Sequence, residues 1–195
     1  MGKYGAQVQA VLKKAAALDI RVICPLHGPV LDEDIGYYLD VYNTWSSYGV
    51  ESEGTAVFYT SVYGHTKEAA ELLADELKKL GCPKVAVSDL ARDDMAEAVE
   101  DAFRYGKIVL ATTTYNADVF PFMREFIQHL TERNYHNRKI GLIGNGSWAP
   151  TATKVMRGLL EGCRNVTFAE TEVKILSAMT EENRAQIAQL AKEML

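Results

Sequence analysis

Strand-like and helix-like segments alternate regularly from Gly54 to the end of the chain, and this alternation constrains the fold more than any other feature. Five apolar runs predict strands, at Ala56–Thr60, Val85–Asp89, Lys107–Thr112, Lys139–Gly144 and Thr167–Lys174. Three of them contain continuous apolar stretches, which are typical of strands covered on both faces. The sequence therefore predicts an α/β fold, with a mostly parallel sheet between two layers of helices.

Residues with helical spacing fill the gaps between these strands. The segment from Lys67 to Leu80 reads as the first helix and stops at Gly81, a residue that suits a helix end. In the last segment, Thr180 is the predicted N-cap and two glutamates follow it in the first turn. After the third strand, the i, i+3, i+4, i+7 pattern of an amphipathic helix is formed by Val119, Phe122, Met123, Phe126, Ile127 and Leu130.

Composition restricts the class of partner. The 195 residues are 48% hydrophobic and carry a net charge of −5, which favours a globular protein and argues against nucleic acid as a partner. No apolar run approaches the roughly 20 residues that span a bilayer, so no membrane partner is expected. The three cysteines, Cys24, Cys82 and Cys163, form no CxxC pair and suit a reducing compartment. We expect a cytoplasmic protein.

The loop after the first predicted strand has the features of an anion cradle. It opens the first helix, whose leading N–H groups have no partner within the helix and carry the positive end of its dipole. Hydroxyl groups and one glycine occupy this loop, which reads Thr60, Ser61, Val62, Tyr63, Gly64, His65 and Thr66. A site for a terminal phosphate and an ordinary turn with a threonine N-cap are both compatible with this pattern.

Two further loops place a large aromatic residue among small polar ones. One contains Thr113, Thr114, Tyr115 and Asn116, and the other contains Asn145, Gly146, Ser147, Trp148 and Ala149. Ligands of open α/β sheets bind beyond the carboxyl ends of the strands, where both loops are expected to lie. A lone aromatic residue in a loop is more often a packing residue. Two in matching loops, beside a phosphate cradle, favour a site that holds a planar ring between them.

These three loops resemble those of a flavodoxin domain over residues 54–195. Residues 1–53 resemble the final helix, strand and helix of the metallo-β-lactamase-like domain of flavodiiron proteins, through the run Ile23-Cys24-Pro25-Leu26-His27-Gly28-Pro29 and the helix from Tyr38 to Trp45. The order of the two parts is also that of flavodiiron proteins. The resemblance implies a flavodoxin-like three-layer sandwich whose five-stranded parallel sheet has the order 2-1-3-4-5.

The resemblance also implies a cofactor, ligands and partners. Ser61, Tyr63, Gly64, His65 and Thr66 correspond to positions that bind the FMN phosphate, and the two later loops correspond to positions that contact the ribityl chain and the isoalloxazine ring. His27 corresponds to an iron ligand, which has meaning only in a longer parent with a diiron centre. Such a parent takes electrons from a rubredoxin or a flavoreductase, reduces O₂ or NO, and forms a head-to-tail homodimer.

The chain departs from the family pattern at several positions. Asn145-Gly146-Ser147-Trp148 stands where Ser-Tyr-Gly-Trp is common, so one tyrosine is missing, and Asp118 stands where glycine is usual. The two loops expected to contact the isoalloxazine ring, which we call the ring loops, contain no lysine or arginine. This predicts a low redox potential for the second electron taken up by FMN. Three of the four histidines lie in the flavodoxin part, so we expect no diiron site in this chain and only an electron relay. The start inside an apparent helix favours truncation of a longer protein.

Other functions fit parts of the pattern. An FMN-dependent NAD(P)H:quinone reductase of the same fold and an interaction domain that has lost FMN both stay open. A receiver-like signalling domain is disfavoured, because it needs carboxylates after the first strand and a phosphoacceptor after the third. The chain has Thr60-Ser61 and Thr112-Thr113 at those places.

Overall fold

A computed structural model describes residues 2–195. A short 3-10 turn, Gly2–Tyr4, precedes an alternation of helices and strands. The helices are α1 (Gly5–Ala15), α2 (Ile35–Ser46), α3 (His65–Lys79), α4 (Met95–Arg104), α5 (Pro121–Glu132), α6 (Ala152–Leu160) and α7 (Glu181–Glu193). The strands are β1 (Ser52–Tyr59), β2 (Val85–Asp89), β3 (Tyr105–Tyr115), β4 (Asp118–Val119), β5 (Arg138–Asn145) and β6 (Val166–Ile175).

The sheet confirms the predicted fold class. Its order is β2-β1-β3-β5-β6, and all neighbouring pairs along this path are parallel. When the five main strands are numbered without the short β4, this is the predicted order 2-1-3-4-5. The two-residue β4 was not predicted and pairs antiparallel with the end of β3. Each of the five strands predicted after Gly54 is present, although β1 begins at Ser52 rather than at Ala56.

Alternate residues of the central strands point to two separate apolar layers. Ala56 and Phe58 of β1 face the side covered by α4, α5 and α6, where they join one buried cluster. Val57 and Tyr59 face the opposite side, which is covered by α3 and α7. Because both faces of the sheet are buried, only its edges and strand ends are open to a ligand.

Both helix ends predicted after Gly54 are confirmed. The hydroxyl of Thr180 accepts a hydrogen bond from the N–H of Asn183, whose side chain in turn accepts from the N–H of Thr180. Gly81 follows α3 with φ +87, a left-handed conformation that glycine adopts without strain. No helix within residues 2–195 combines the length and the apolarity needed to cross a bilayer.

The N-terminal segment is a helical pair rather than a helix, strand and helix. The Gln9 amide of α1 donates hydrogen bonds to Asn43 and Ser46 of α2. Residues 16–34 between the helices contain one isolated antiparallel bridge, Ile23 with Leu31, in place of the expected strand. The domain boundary at residue 53 stays a prediction.

A buried arginine ties this segment to the sheet. The guanidinium of Arg138, at the start of β5, donates to the carbonyl oxygens of Tyr48 (2.9 Å), Gly49 (3.2 Å) and Phe103 (2.6 Å). Arg138 is 3% exposed, and burial lowers the pKa of its guanidinium. The contact lies at the amino ends of the strands, opposite the edge where the three candidate loops lie.

Candidate functional site

Three loops meet at the carboxyl edge of the sheet. The strands that precede them lie side by side in the order β1-β3-β5. The last residue of β1, Tyr59, pairs with Ala111 of β3, and the last residue of β5, Asn145, pairs with Thr113 of β3. The chain leaves β1 toward β2 on one side, and β3 lies on the other side. This is the switch point at which ligands of open α/β sheets bind.

The first loop has an open helix start. Gly64 is the N-cap residue of α3, with φ +96 and ψ −24, and no side chain caps the helix. A methyl group built on Gly64 would meet no atom within 4 Å, so the space beside it is free. The N–H of Gly64 donates to the Ser61 hydroxyl at 3.1 Å. The threonine N-cap is therefore not what the structure contains, and the leading N–H groups of α3 are available to an anion.

Unpartnered hydroxyl groups concentrate at the same edge. Among the residues that the structure describes, four buried side-chain nitrogen or oxygen atoms lack a hydrogen-bond partner. Three are the threonine hydroxyls of Thr66, Thr113 and Thr151, and the fourth is Nε of Arg138. Buried polar groups without partners are rare in native proteins. Thr66 lies in the first turn of α3, Thr113 near the end of β3 and Thr151 at the N-cap of α6, so the three hydroxyls indicate a polar ligand at this edge.

Two other predicted residues already have partners within the protein. The hydroxyls of Thr60 and Thr112 lie 2.6 Å apart and join β1 to β3. The Asn145 side chain donates to the Ser177 carbonyl (2.9 Å) and accepts from the Ser177 N–H (3.1 Å). The side chains of Thr60 and Asn145 therefore hold the loops in place, whichever backbone groups face a ligand.

Thr114 couples the second loop to the third. Its hydroxyl oxygen accepts hydrogen bonds from the N–H groups of Thr151 (3.1 Å) and Ala152 (3.2 Å), at the start of α6. A methyl group on Gly146 would lie 3.0 Å from this same oxygen, so a side chain there would crowd it. This one hydroxyl therefore links the second loop to the end of the third.

The aromatic residues of the three loops are uncovered by the protein itself. Trp148 is 96% exposed, Tyr63 is 89% exposed and Tyr115 is 47% exposed. Tyr115 contacts Phe120 edge to face, with ring centroids 5.5 Å apart, which leaves part of its ring free. Val62, Asn116, Ser147 and Ala149 are likewise exposed, whereas His65 is half-buried. Large apolar rings exposed together are typical of a binding site.

The second loop is a hairpin rather than the irregular loop that the sequence suggested. β3 continues through Tyr115, and Asn116 and Ala117 turn the chain with φ +50 and φ +60. Two successive left-handed residues are the geometry of a tight two-residue hairpin. Asp118 then pairs with Tyr115 across the hairpin. Thr113, Thr114 and Tyr115 are therefore strand residues, which gives them defined orientations.

The ionisable groups at the ends of β1 and β2, Tyr59 and Asp89, leave no uncompensated charge beside the first loop. Burial and the neighbouring Asp89 carboxylate raise the pKa of Tyr59 to about 12, so its phenol stays protonated. The Asp89 carboxylate accepts a hydrogen bond from Arg92 at 2.7 Å. Asp89 also accepts from the N–H of Ala91. This carboxylate is thus engaged at the end of β2.

The metal ligand suggested by the resemblance has no companions. His27 lies exposed in the turn between α1 and α2. No three His, Cys, Asp or Glu side chains within residues 2–195 converge on a point that would hold a metal ion. The described residues therefore do not fit a diiron centre.

A cavity of about 440 Å³ between Trp45, Phe103 and Arg138 lies at the opposite end of the strands from the three loops.

Comparison with known proteins agrees with the geometry. A family model described as "Flavodoxin domain" matches residues 56–162, more than half of the chain. The anaerobic nitric oxide reductase flavorubredoxin of Enterobacter sp. (strain 638) is 23% identical over 134 residues, which are 68% of this chain and 27% of that protein.

Solved structures share the fold over nearly the whole chain. Rubredoxin oxygen:oxidoreductase from Desulfovibrio gigas superposes with a TM-score of 0.89 at 19% identity, covering 99% of this chain and 48% of that one. The flavodiiron protein from Giardia intestinalis gives a TM-score of 0.90 at 21% identity, with coverage of 99% and 48%. The chain spans less than half the length of each of these three relatives.

Proposed function

This chain belongs to the flavodoxin domain family, and from that membership we propose that it binds FMN at the carboxyl edge of the sheet and acts as an electron relay. The observation that carries the proposal is the group of unpartnered hydroxyls of Thr66, Thr113 and Thr151. A phosphorylated, polar-rimmed ligand supplies the partners that these groups lack. Thr151 was not among the sequence-predicted residues.

The phosphate of FMN is assigned to the start of α3. Thr66 contributes its hydroxyl, and Gly64 leaves room for the phosphate to approach the backbone closely. Ser61 and Tyr63 belong to the loop that leads into this helix. Nanomolar affinity needs about 12 kcal/mol. Hydrogen bonds to a charged group contribute about 1.5–3 kcal/mol each. Several such bonds, together with burial of a ring, account for that sum.

The isoalloxazine ring is assigned to the space between the second and third loops. Tyr115 and Trp148 provide the exposed aromatic faces. Thr113, Asn116 and backbone groups from Asn145 to Ala149 would bind the polar rim of the ring. When bound, FMN supplies reversible electron transfer. The residues of this chain bind the ring, orient it and limit its contact with water.

We further propose that the chain is the electron-transfer module of a flavodiiron-type O₂ or NO reductase. Residues 1–53 are then the end of a metallo-β-lactamase-like domain, and residues 54–195 are the flavodoxin domain. Large apolar side chains support this division, because Leu18, Leu26 and Tyr37 are exposed in the N-terminal segment and an adjoining domain would cover them. His27 is an iron ligand only in such a parent.

The partners follow from the same assignment. A rubredoxin or a flavoreductase donates electrons, and a diiron centre elsewhere in the parent accepts them. A homodimer brings the flavin of one subunit near the metal of the other. This chain alone, supplied with FMN and iron, is expected to consume O₂ or NO no faster than free FMN does. Robust turnover would contradict the assignment of a relay.

An anaerobic reduction experiment tests the relay. Purified protein is incubated with FMN, passed through a desalting column, reduced with dithionite and reoxidised with ferricyanide. We expect the flavin absorbance to remain with the protein, to bleach on reduction and to return on oxidation. The same protocol with lumiflavin, which lacks the phosphate and the ribityl chain, is expected to leave the protein colourless. Protein that stays colourless after incubation with FMN contradicts the proposal.

A further inference from the structure

An ion pair stands on the hairpin that follows β3. Arg124 of α5 donates to one oxygen of the Asp118 carboxylate at 2.5 Å, and the N–H of Val119 donates to the other at 2.7 Å. The hydrogen bond from Arg124 is the main cause that lowers the pKa of Asp118, so this side chain is ionised at neutral pH.

The ion pair shares a cavity with two of the proposed ring residues, Tyr115 and Asn116. Tyr115 and Asp118 are paired across the hairpin. A cavity of about 380 Å³ is lined by Tyr115, Asn116, Asp118 and Arg124. The charges of the pair are therefore part of the wall to which Tyr115 belongs. Sequence reading missed Arg124 because it lies in α5, outside the loops.

The positive charge of Arg124 and the negative charge of Asp118 compensate each other at this wall. Glu125 is the remaining charged residue that lines the cavity, and its carboxylate lies 3.7 Å from His129 on the next turn of α5. Removing either member of the pair leaves the other charge uncompensated. Two electrons and one proton convert oxidised FMN to its reduced anion, so the bound group gains one negative charge. The energy of that charge depends on the charges beside it.

We propose that the Asp118–Arg124 pair sets the redox potential of the bound FMN, with Arg124 as the counter-charge for the reduced anion and Asp118 limiting its effect. The inference rests on the proposed binding of FMN and adds two residues that tune it. Both side chains are partly exposed, so solvent and salt reduce the magnitude.

The experiment measures the midpoint potential and the affinity for oxidised FMN in four proteins: the unaltered chain, Arg124→Gln, Asp118→Asn and the double variant. Potentials are measured by anaerobic titration with dithionite and redox mediators. Arg124→Gln is expected to weaken binding of the reduced form relative to the oxidised form about threefold to tenfold. A tenfold change lowers the potential by about 30 mV for this two-electron couple.

The other variants show whether the effect on the potential comes from the charge of Arg124, the charge of Asp118 or both. Asp118→Asn is expected to raise the potential by a similar amount, and the double variant to lie close to the unaltered chain. Arg124→Lys keeps the charge and is expected to keep the potential. Arg21→Gln removes an arginine from an exposed pair with Asp19 in the N-terminal segment and is the matched control.

Opposite shifts that cancel in the double variant support the inference. Shifts of the same sign, or shifts no larger than that of Arg21→Gln, overturn it while leaving the binding of FMN intact. If the unaltered chain does not bind FMN, the proposed function fails and this inference fails with it. Thermal unfolding of each apoprotein shows whether a variant has kept its fold.

Discussion

The hydroxyl oxygens of Thr60 and Thr112 lie 2.6 Å apart, buried between β1 and β3. These are the two strands on either side of the switch point, and the phosphate and ring loops begin directly after them. Because each hydroxyl has the other as its close partner, this bond holds together the two halves of the candidate site.

Replacing one of these threonines should cost more than replacing both. Thr112→Val leaves the Thr60 hydroxyl buried without its close partner, which costs about 1–3 kcal/mol of unfolding free energy. The double variant Thr60→Val/Thr112→Val removes both polar groups and should recover most of that loss. Urea unfolding of the four proteins in this cycle measures the coupling. Strictly additive losses would contradict the hydrogen bond.

Thr66 should matter for the phosphate and not for the stability of the apoprotein. Thr66→Val removes a hydroxyl that lacks a partner in the protein, so the free energy of unfolding should be unchanged or slightly higher. Affinity for FMN should fall about 10- to 150-fold, corresponding to a lost bond of about 1.5–3 kcal/mol to a charged group.

Titration with riboflavin provides the control for that prediction. Riboflavin lacks the phosphate, so Thr66→Val should leave its affinity unchanged. Thr44→Val, which removes a threonine hydroxyl from α2, should leave the affinity for both flavins unchanged. Equal losses for FMN and riboflavin would show that Thr66 does not contact the phosphate.

Gly64 should tolerate asparagine better than valine. Its φ of +96 is left-handed, where a side chain costs about 1–2 kcal/mol and asparagine is among the better tolerated residues. Gly64→Val should lower the stability by at least that amount, and Gly64→Asn by less. Gly158→Ala is the contrasting case, since this glycine lies inside α6 with open space around it. It should raise the stability by about 0.5–1 kcal/mol. Chemical unfolding of the three variants tests the order.

Glu172 should make stability depend on pH in the acid range. Burial acts to raise the pKa of this carboxyl, but hydrogen bonds from Thr153, Lys174 and Arg157 outweigh it and hold the pKa below its ordinary value of 4.5. The folded state therefore binds this proton more weakly than the unfolded state does. The stabilisation is present above pH 4.5 and is lost as pH falls through the lowered pKa.

Glu172→Gln tests this dependence. The variant should be less stable than the unaltered chain by about 0.5–1 kcal/mol at pH 7, and the difference should shrink toward pH 3. Glu161→Gln, at an exposed position after α6, is the control and should change little at any pH. A difference that is constant between pH 3 and pH 7 would contradict the prediction.

The sheet could be predicted from sequence because its strands are buried on both faces. A continuous apolar run such as that from Ile108 to Ala111 is typical of a strand with helices on both faces of its sheet. The hairpin of β3 and β4 could not, because Asn116 and Ala117 form its turn where Asn-Gly is the usual signal. The expected strand near Ile23 was wrong, since this residue has a single bridge partner in Leu31.

The positions of the candidate loops were predictable, but the roles of their side chains were not. Thr114 and Asn145 were predicted to contact the cofactor, yet their side chains bind other parts of the protein. Such partners lie far away in sequence, as Ser177 does from Asn145. Thr151 and Arg124 were missed because their relevance depends on an unpartnered hydroxyl and on the packing of α5 beside the hairpin. Cytoplasmic localisation stays a prediction.

The central claim is that the start of α3 holds the phosphate of FMN while the later loops hold its ring. Calorimetric titration of the apoprotein with FMN and with riboflavin tests this claim most directly, because the two ligands differ only in that phosphate. We expect FMN to bind at least about 100-fold more tightly, as two charge-assisted hydrogen bonds would provide. Equal affinities, or no binding of FMN, would contradict the account.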